Sequence, residues 1–136
     1  MTQQLLANID VDDLARATDF YCSAFGLTVR RRLGSSAVEL LGASAVLYLL
    51  QKSSGSRISP SSLQQRDYTR HWTPVHLDFV VEDIGAALLR AQSAGARLEG
   101  DMETHEWGRL ATLADPFGHG FCLIEFLGRG YDEIAT

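Results

Sequence analysis

Two stretches of this chain, ANIDVDDLARATDFYCSAFGL (7–27) and LDFVVEDIGAALLRAQSAGAR (77–97), lie over one another without a gap. Val11 then meets Val81, Asp13 meets Asp83, Leu14 meets Ile84, and Gly26 falls within a residue of Gly95. An internal repeat narrows the choice of folds sharply, because both copies must build the same supersecondary unit. In each copy an alternating apolar strand runs into an acidic pair, then a helix, then a glycine.

The helices are marked at both ends. Asp12 or Asp13 caps the first and Glu82 or Asp83 the second, with acidic charge favoured beside the positive end of the helix dipole. Leu14, Ala17, Phe20/Tyr21 and Ala24 recur at helical spacing, as do Ile84, Ala87/Leu88, Ala91 and Ala94. Gly26 and Gly95 suit the left-handed position that ends a helix. Strand-like runs follow each helix: TVRRRL, AVEL and AVLYLLQ in the first half, then ARLEG, GRLATLA and GFCLIEF in the second. Each half is therefore expected to be a βαβββ module, and the fold class α+β. The modules span about 5–52 and 74–127 of a single domain at 3–128, with a polar, serine-rich linker or lid at 53–73 and a tail at 129–136.

Composition removes several classes of function. Apolar residues make up 46% of the 136 positions, enough for one soluble domain with a real core. A net charge of -5 leaves no basic stripe for nucleic acid. The one basic run, Arg30-Arg31-Arg32, lies in an expected strand, where alternation sends its members to both faces of a solvated edge. No apolar run reaches the length of a membrane span, and the start MTQQLLANIDVDD has no signal-peptide pattern, so a cytoplasmic location is expected. The two cysteines, Cys22 and Cys122, make no disulfide framework, and both are expected to be thiols.

VDDLARATDFYCSAFGL near the start, HLDFVVEDIGAALLRAQSAGA in the middle and WGRLATLADPFGHGFCLIEF near the end, in that order, resemble the vicinal oxygen chelate superfamily. That superfamily includes glyoxalase I, extradiol dioxygenases, fosfomycin-resistance enzymes and bleomycin-resistance proteins. The resemblance implies paired βαβββ modules whose curved mixed sheets surround a shared cavity, and a homodimer. In metal-using relatives the ligands fall at positions that correspond here to Leu6, Tyr48, His76 and Cys122. Leu6 has no donor atom, and Tyr48 must lose a phenolic proton to ligate. Cys122 stands where a carboxylate is usual, and only His76 is an ordinary ligand. Glu125, three residues on, points to the opposite face of a regular strand. No metal and no cofactor are therefore expected, with a divalent metal at an atypical site as the alternative.

Alternation places Asn8 and Asp10 on the face of Leu6, and Asp78 on the face of His76. Polar groups there need water, a partner or a ligand, so they either line a pocket or bond across the module junction. His76 is a ligand, a base or a satisfied core histidine, oriented in each case by Asp78. Trp107 is expected over the cavity mouth, and Arg109 either reaches a ligand anion or pairs with Glu106 or Asp115. The candidate pocket set is thus Asn8, Asp10, Tyr48, His76, Asp78, Trp107, Arg109 and Cys122, with no catalytic residue assigned. In DPFGHG the Asp, Pro and Gly suit a type I turn, and His119 is read as a residue that ties it down.

Three functions fit this reading. The first is a metal-free protein that binds or sequesters a small organic molecule, cationic or amine-bearing given the acidic and amide groups. The second is a metal-dependent lyase or dioxygenase that combines His76, Cys122 and an acidic residue. The third is a ligand-free structural dimer whose cavity is filled by side chains.

Overall fold

Asp13 and Asp83 start the two helices, and they do so identically. In a computed structural model that describes residues 2–136, each sits in extended conformation and its side chain accepts the third backbone N–H of its helix, from Arg16 and Ala86. A second acceptor arrives from the last strand of each module. Gln51 Oε1 accepts from Leu14 N at 2.9 Å, and Glu125 Oε1 accepts from Ile84 N at 3.0 Å. The repeat is therefore preserved down to the hydrogen bond that ties each helix to its sheet. Asp83→Ala should lower stability by about 1 kcal/mol in urea titration, the usual cost of a lost N-cap.

The chain divides into two compact units, residues 1–69 and 70–136. The first holds β1 (Leu6–Val11), α1 (Leu14–Phe25), β2 (Thr28–Leu33), β3 (Ala37–Leu41) and β4 (Val46–Gln51). Its sheet order is β1-β4-β3-β2, with β1 parallel to β4 and the other pairs antiparallel. Alternation sends Val11, Val38, Leu40, Leu47 and Leu49 to one face, all nearly free of solvent, where Leu14, Ala17, Phe20 and Tyr21 of α1 supply the other half of the core. Burying side chains of this size contributes about 1.5–3 kcal/mol each before chain entropy is set against it. Gly26 closes α1 at φ 66°, the left-handed cap expected of it.

The second unit repeats the plan with one change. It holds β5 (Leu77–Val80), α2 (Ile84–Ala94), β6 (Arg97–Leu98), β7 (Glu103–His105), β8 (Gly108–Ala114) and β9 (Gly120–Phe126). The sheet runs β5-β9-β8-β6, and β7 also pairs with β8. β6 meets Leu113 and Ala114, while β7 meets Gly108 through Leu110, so the two are pieces of one edge strand broken around Gly100. The sequence reading finds ARLEG but not β7, because Glu103–His105 is short, polar and exposed. Ile84, Ala87 and Ala91 of α2 are buried, as are Phe121, Leu123, Ala111 and Leu113 of the sheet. Both sheets are mixed, curved and open, and the fold class is α+β as expected.

The stretch between the modules is ordered by its own residues. The Gly55 N–H donates to the Arg66 carbonyl and the Arg66 N–H to the Ser56 carbonyl, around a short bridge from Arg57 to Gln65, and Tyr68 donates to the Lys52 carbonyl. Among the described residues no helix is long and apolar enough to cross a membrane. The tail turns back at Gly130, where a side chain would lie 3.3 Å from the Phe126 ring, and Tyr131 packs against both Phe126 and Trp107.

Candidate functional site

Three strands of the second unit bring the chemistry together. Asp78, Cys122 and Thr112 are directly paired across β5, β9 and β8, so their side chains share one sheet face. His76, two residues before Asp78, joins them: its Nε2 lies 3.3 Å from Asp78 Oδ1. One ligand-type atom from each of His76, Asp78 and Cys122 falls within 4.8 Å of the other two. Cys122 is buried, whereas the His76 and Asp78 side chains are 31% and 38% exposed, so the group opens to solvent on the imidazole and carboxylate side. The Trp72 ring stands 5.1 Å from that of His76.

Burial pushes the Cys122 thiol up, and Asp78 adds to the effect; only the contact with Thr112 Oγ1, at 3.7 Å, opposes it. Cys122 therefore holds its proton more tightly than an ordinary thiol. Glu125 faces away to the N-terminus of α2, because the β8–β9 register runs unbroken from Gly108 to Ala114.

The corresponding row of the first unit is closed on itself. Asn8, Tyr48, Glu39 and Arg31 are paired across β1, β4, β3 and β2. Glu39 is 2% exposed; Arg31 holds it with two hydrogen bonds, at 2.9 and 3.1 Å, and Tyr48 donates to it at 2.5 Å. The Tyr48 and Arg31 hydrogen bonds hold the Glu39 carboxyl below its ordinary value, and the same carboxylate pushes the Tyr48 phenol up. Arg31 and Arg32 pair with Glu39 and Val38 on opposite faces, as alternation leads one to expect, but the register slips between Val29 and Arg31 and this bulge brings Arg30 to the side of Arg31. Arg30 Nη1 reaches the same carboxylate at 3.6 Å. β2 is nonetheless an exposed edge strand, as the sequence suggests.

The other candidates are dispersed. Asn8 is exposed beside Tyr48. Asp10 accepts from Arg66 Nε at 2.7 Å, which fastens the inter-module segment to β1. Arg109 pairs with Glu125, not with Glu106 or Asp115; that is the α2 side of the sheet, away from His76 and Cys122. Trp107 stacks on His105 and meets Phe126 and Tyr131. His119 donates its N–H to Asp115 and its ring meets His71 edge-on. Glu39, Thr112 and Arg66 were not singled out by sequence reasoning. Each acquires its role from a cross-strand or long-range partner, and periodicity alone signals only the face on which each lies.

Two of the four positions that the resemblance assigns to metal ligands lie in the first unit. Leu6 offers no donor, and the Tyr48 phenol is committed to Glu39 with its proton held more tightly than usual. Among the described residues the donors that converge, His76, Asp78 and Cys122, belong to the second unit, and Asp78 is at none of the four positions.

Two open sheets of βαβββ origin, related by an internal repeat, define the class. The glyoxalase-like domain profile matches residues 7–124, and the chain belongs to that family within the vicinal oxygen chelate superfamily. An uncharacterized protein of Mycobacterium bovis is 33% identical over 129 residues, 88% of this chain and 80% of the relative. Among solved structures, the fosfomycin resistance protein FosX from Listeria monocytogenes is similar with a TM-score of 0.72 at 19% identity, over 99% of each chain. An antibiotic binding protein from a Streptomyces species, TnmS3, is similar with a TM-score of 0.66 at 22% identity, over 93% of this chain and 98% of the other.

Proposed function

We propose that the protein binds a small organic molecule without the four-donor metal centre of its superfamily, as a cytoplasmic homodimer. The observation that carries this reading is the closed row in the first unit, where Tyr48 is spent on Glu39 and Leu6 contributes nothing. Arg31 and Tyr48 satisfy a carboxylate of this chain, so the Tyr48 phenol and Glu39 are spent on one another. The second unit offers an exposed indole, Trp72, beside the imidazole of His76, and such flat surfaces suit a planar ligand. A net charge of -5 favours an amine-bearing one. A similar fold serves TnmS3, an antibiotic binding protein.

The test is thermal unfolding in the presence of chelator, against a panel of aromatic amine-bearing antibiotics. A ligand at a hundredfold excess over its Kd stabilises by about 2.7 kcal/mol, so a true ligand raises the melting temperature clearly. The rise should persist in chelator and shrink in Trp72→Ala, a substitution at an exposed position. Stabilisation that vanishes with chelator, or a panel without any stabilising compound, would count against the reading.

A further inference from the structure

We infer that the rings of His105, Trp107, Phe126 and Tyr131 form a docking face for an arginine-bearing segment of a second protein. The inference goes beyond the small molecule proposed above and does not depend on it. The cluster belongs to the second unit, and Phe126 stands four residues, or about 13 Å, along β9 from Cys122. His105 stacks on Trp107 with ring centroids 5.0 Å apart and planes 7° from parallel. Tyr131 lies 5.1 Å from Trp107 and 4.8 Å from Phe126. The turn that carries Trp107 is pressed against β9: the Leu127 N–H donates to the Trp107 carbonyl at 3.0 Å, and a side chain at Gly108 would collide with the Glu125 carbonyl. Fixed in this way, the rings still meet solvent, with Phe126 38% and Tyr131 49% exposed. A rigid, exposed aromatic surface marks an interaction site.

Charge decides the occupant. Glu103 Oε1 lies 3.5 Å from His105 Nε2, Glu106 precedes Trp107 in the turn, and Asp132 follows Tyr131; all three acids are exposed. The arginines near them in sequence are already paired, Arg109 with Glu125 and Arg129 with Glu133. Among the described residues neither Glu106 nor Asp132 enters an ion pair. Such a rim repels the phosphates of nucleic acid and of anionic lipid and attracts a cationic partner. A guanidinium fits it best, because it stacks flat on aromatic rings while its N–H groups reach carboxylates, and a compact ammonium lacks that planar fork. The rings lie on an open surface, which suits a peptide laid across them more than a small molecule enclosed by them.

Immobilised full-length protein is panned against a phage library of random dodecapeptides, and the most enriched peptide is synthesised as the probe for titration in solution. Arginine should be enriched at least about threefold over the naive library, with Asp and Glu depleted. Affinity should fall at least about tenfold in Tyr131→Ala, in the double variant Glu106→Lys/Asp132→Lys, and when citrulline replaces arginine in the peptide. Asp19→Lys, at an exposed acid on α1 of the first unit, should stay within about twofold of the wild type. Circular dichroism reports whether each variant is folded; if Tyr131→Ala fails to fold, the lysine variant, at exposed positions, carries the test. A selection that yields no binder or no arginine enrichment, equal affinity for the citrulline peptide, or an equal loss in Asp19→Lys would overturn the inference. Self-association that Tyr131→Ala abolishes would assign the face to a second copy of this chain and overturn it too. Stabilisation by a small compound through Trp72 is read separately, so the two conclusions fail independently.

Discussion

Phe117→Ala should destabilise the second unit by about 3–5 kcal/mol, the range for truncating a fully enclosed phenylalanine. Phe117 has no exposed surface although it lies in a turn, between β8 and β9. The turn is arranged to drive it inward. Asp115, itself buried, accepts from the backbone N–H of Phe117 at 2.8 Å and of His119 at 2.9 Å, and Gly118 takes φ 86° between them. Removing the ring leaves a cavity that the hydrogen-bonded turn cannot collapse to fill, so the transfer and cavity costs add. Both tryptophans, Trp72 and Trp107, lie in residues 70–136, so intrinsic fluorescence in urea follows the affected unit. The midpoint should fall with little change in slope. Phe117→Leu, which keeps most of the volume, should lose much less. A loss below about 1 kcal/mol for the alanine variant would mean that the turn, not the ring, holds this hairpin together.

The contrast between the two ends of β9 shows what kind of information the sequence carries. At Asp115–Gly118 the chemistry is local: the acidic side chain bonds backbone within four residues, and the turn is readable from its letters. The helix caps Asp13 and Asp83 and the glycine endings are readable for the same reason. The repeat adds a little more, since placing Asn8 over Asp78 already fixes which residues share a face. What stays hidden depends on pairing across space. Arg66 reaches Asp10 from 56 residues away. The bulge in β2 shifts alternation by one residue, so Arg30 and Arg31 converge where a regular strand would separate them. The site is legible in the same measure. His76 and Asp78 are two letters apart at the start of β5, the first just before it and the second within it, but Cys122 becomes their neighbour only through the β5–β9 register.

Glu39→Gln should flatten the dependence of stability on acid pH, and the sign follows from the environment of the carboxyl. Hydrogen bonds from Tyr48 and Arg31 hold Glu39 below its ordinary 4.5 in the folded chain. On acidification the unfolded chain therefore takes up the proton first, and stability falls with pH. The contribution is complete above 4.5 and is lost as pH falls through the lowered folded value. At neutral pH the glutamine variant should be the less stable protein, because Arg31 and Arg30 then face an amide instead of a carboxylate. As pH drops below 4.5 the wild type loses its advantage, and the two urea midpoints, followed by far-ultraviolet circular dichroism, should approach one another. Glu99, lowered by Arg70 in the second unit, remains in both proteins and sets a common background slope. Curves that stay parallel from neutral pH to pH values well below 4.5 would show that Glu39 is not held as an ion pair. The same pairing bears on function. While Glu39 is ionised, the Tyr48 phenol keeps its proton beyond the ordinary 10, so it cannot serve as a phenolate donor at physiological pH. An unpaired Glu39 would free Tyr48 and reopen the first unit as a source of metal ligands. The acid titration of one carboxylate therefore tests whether Tyr48 is held by the first unit's own row of hydrogen bonds.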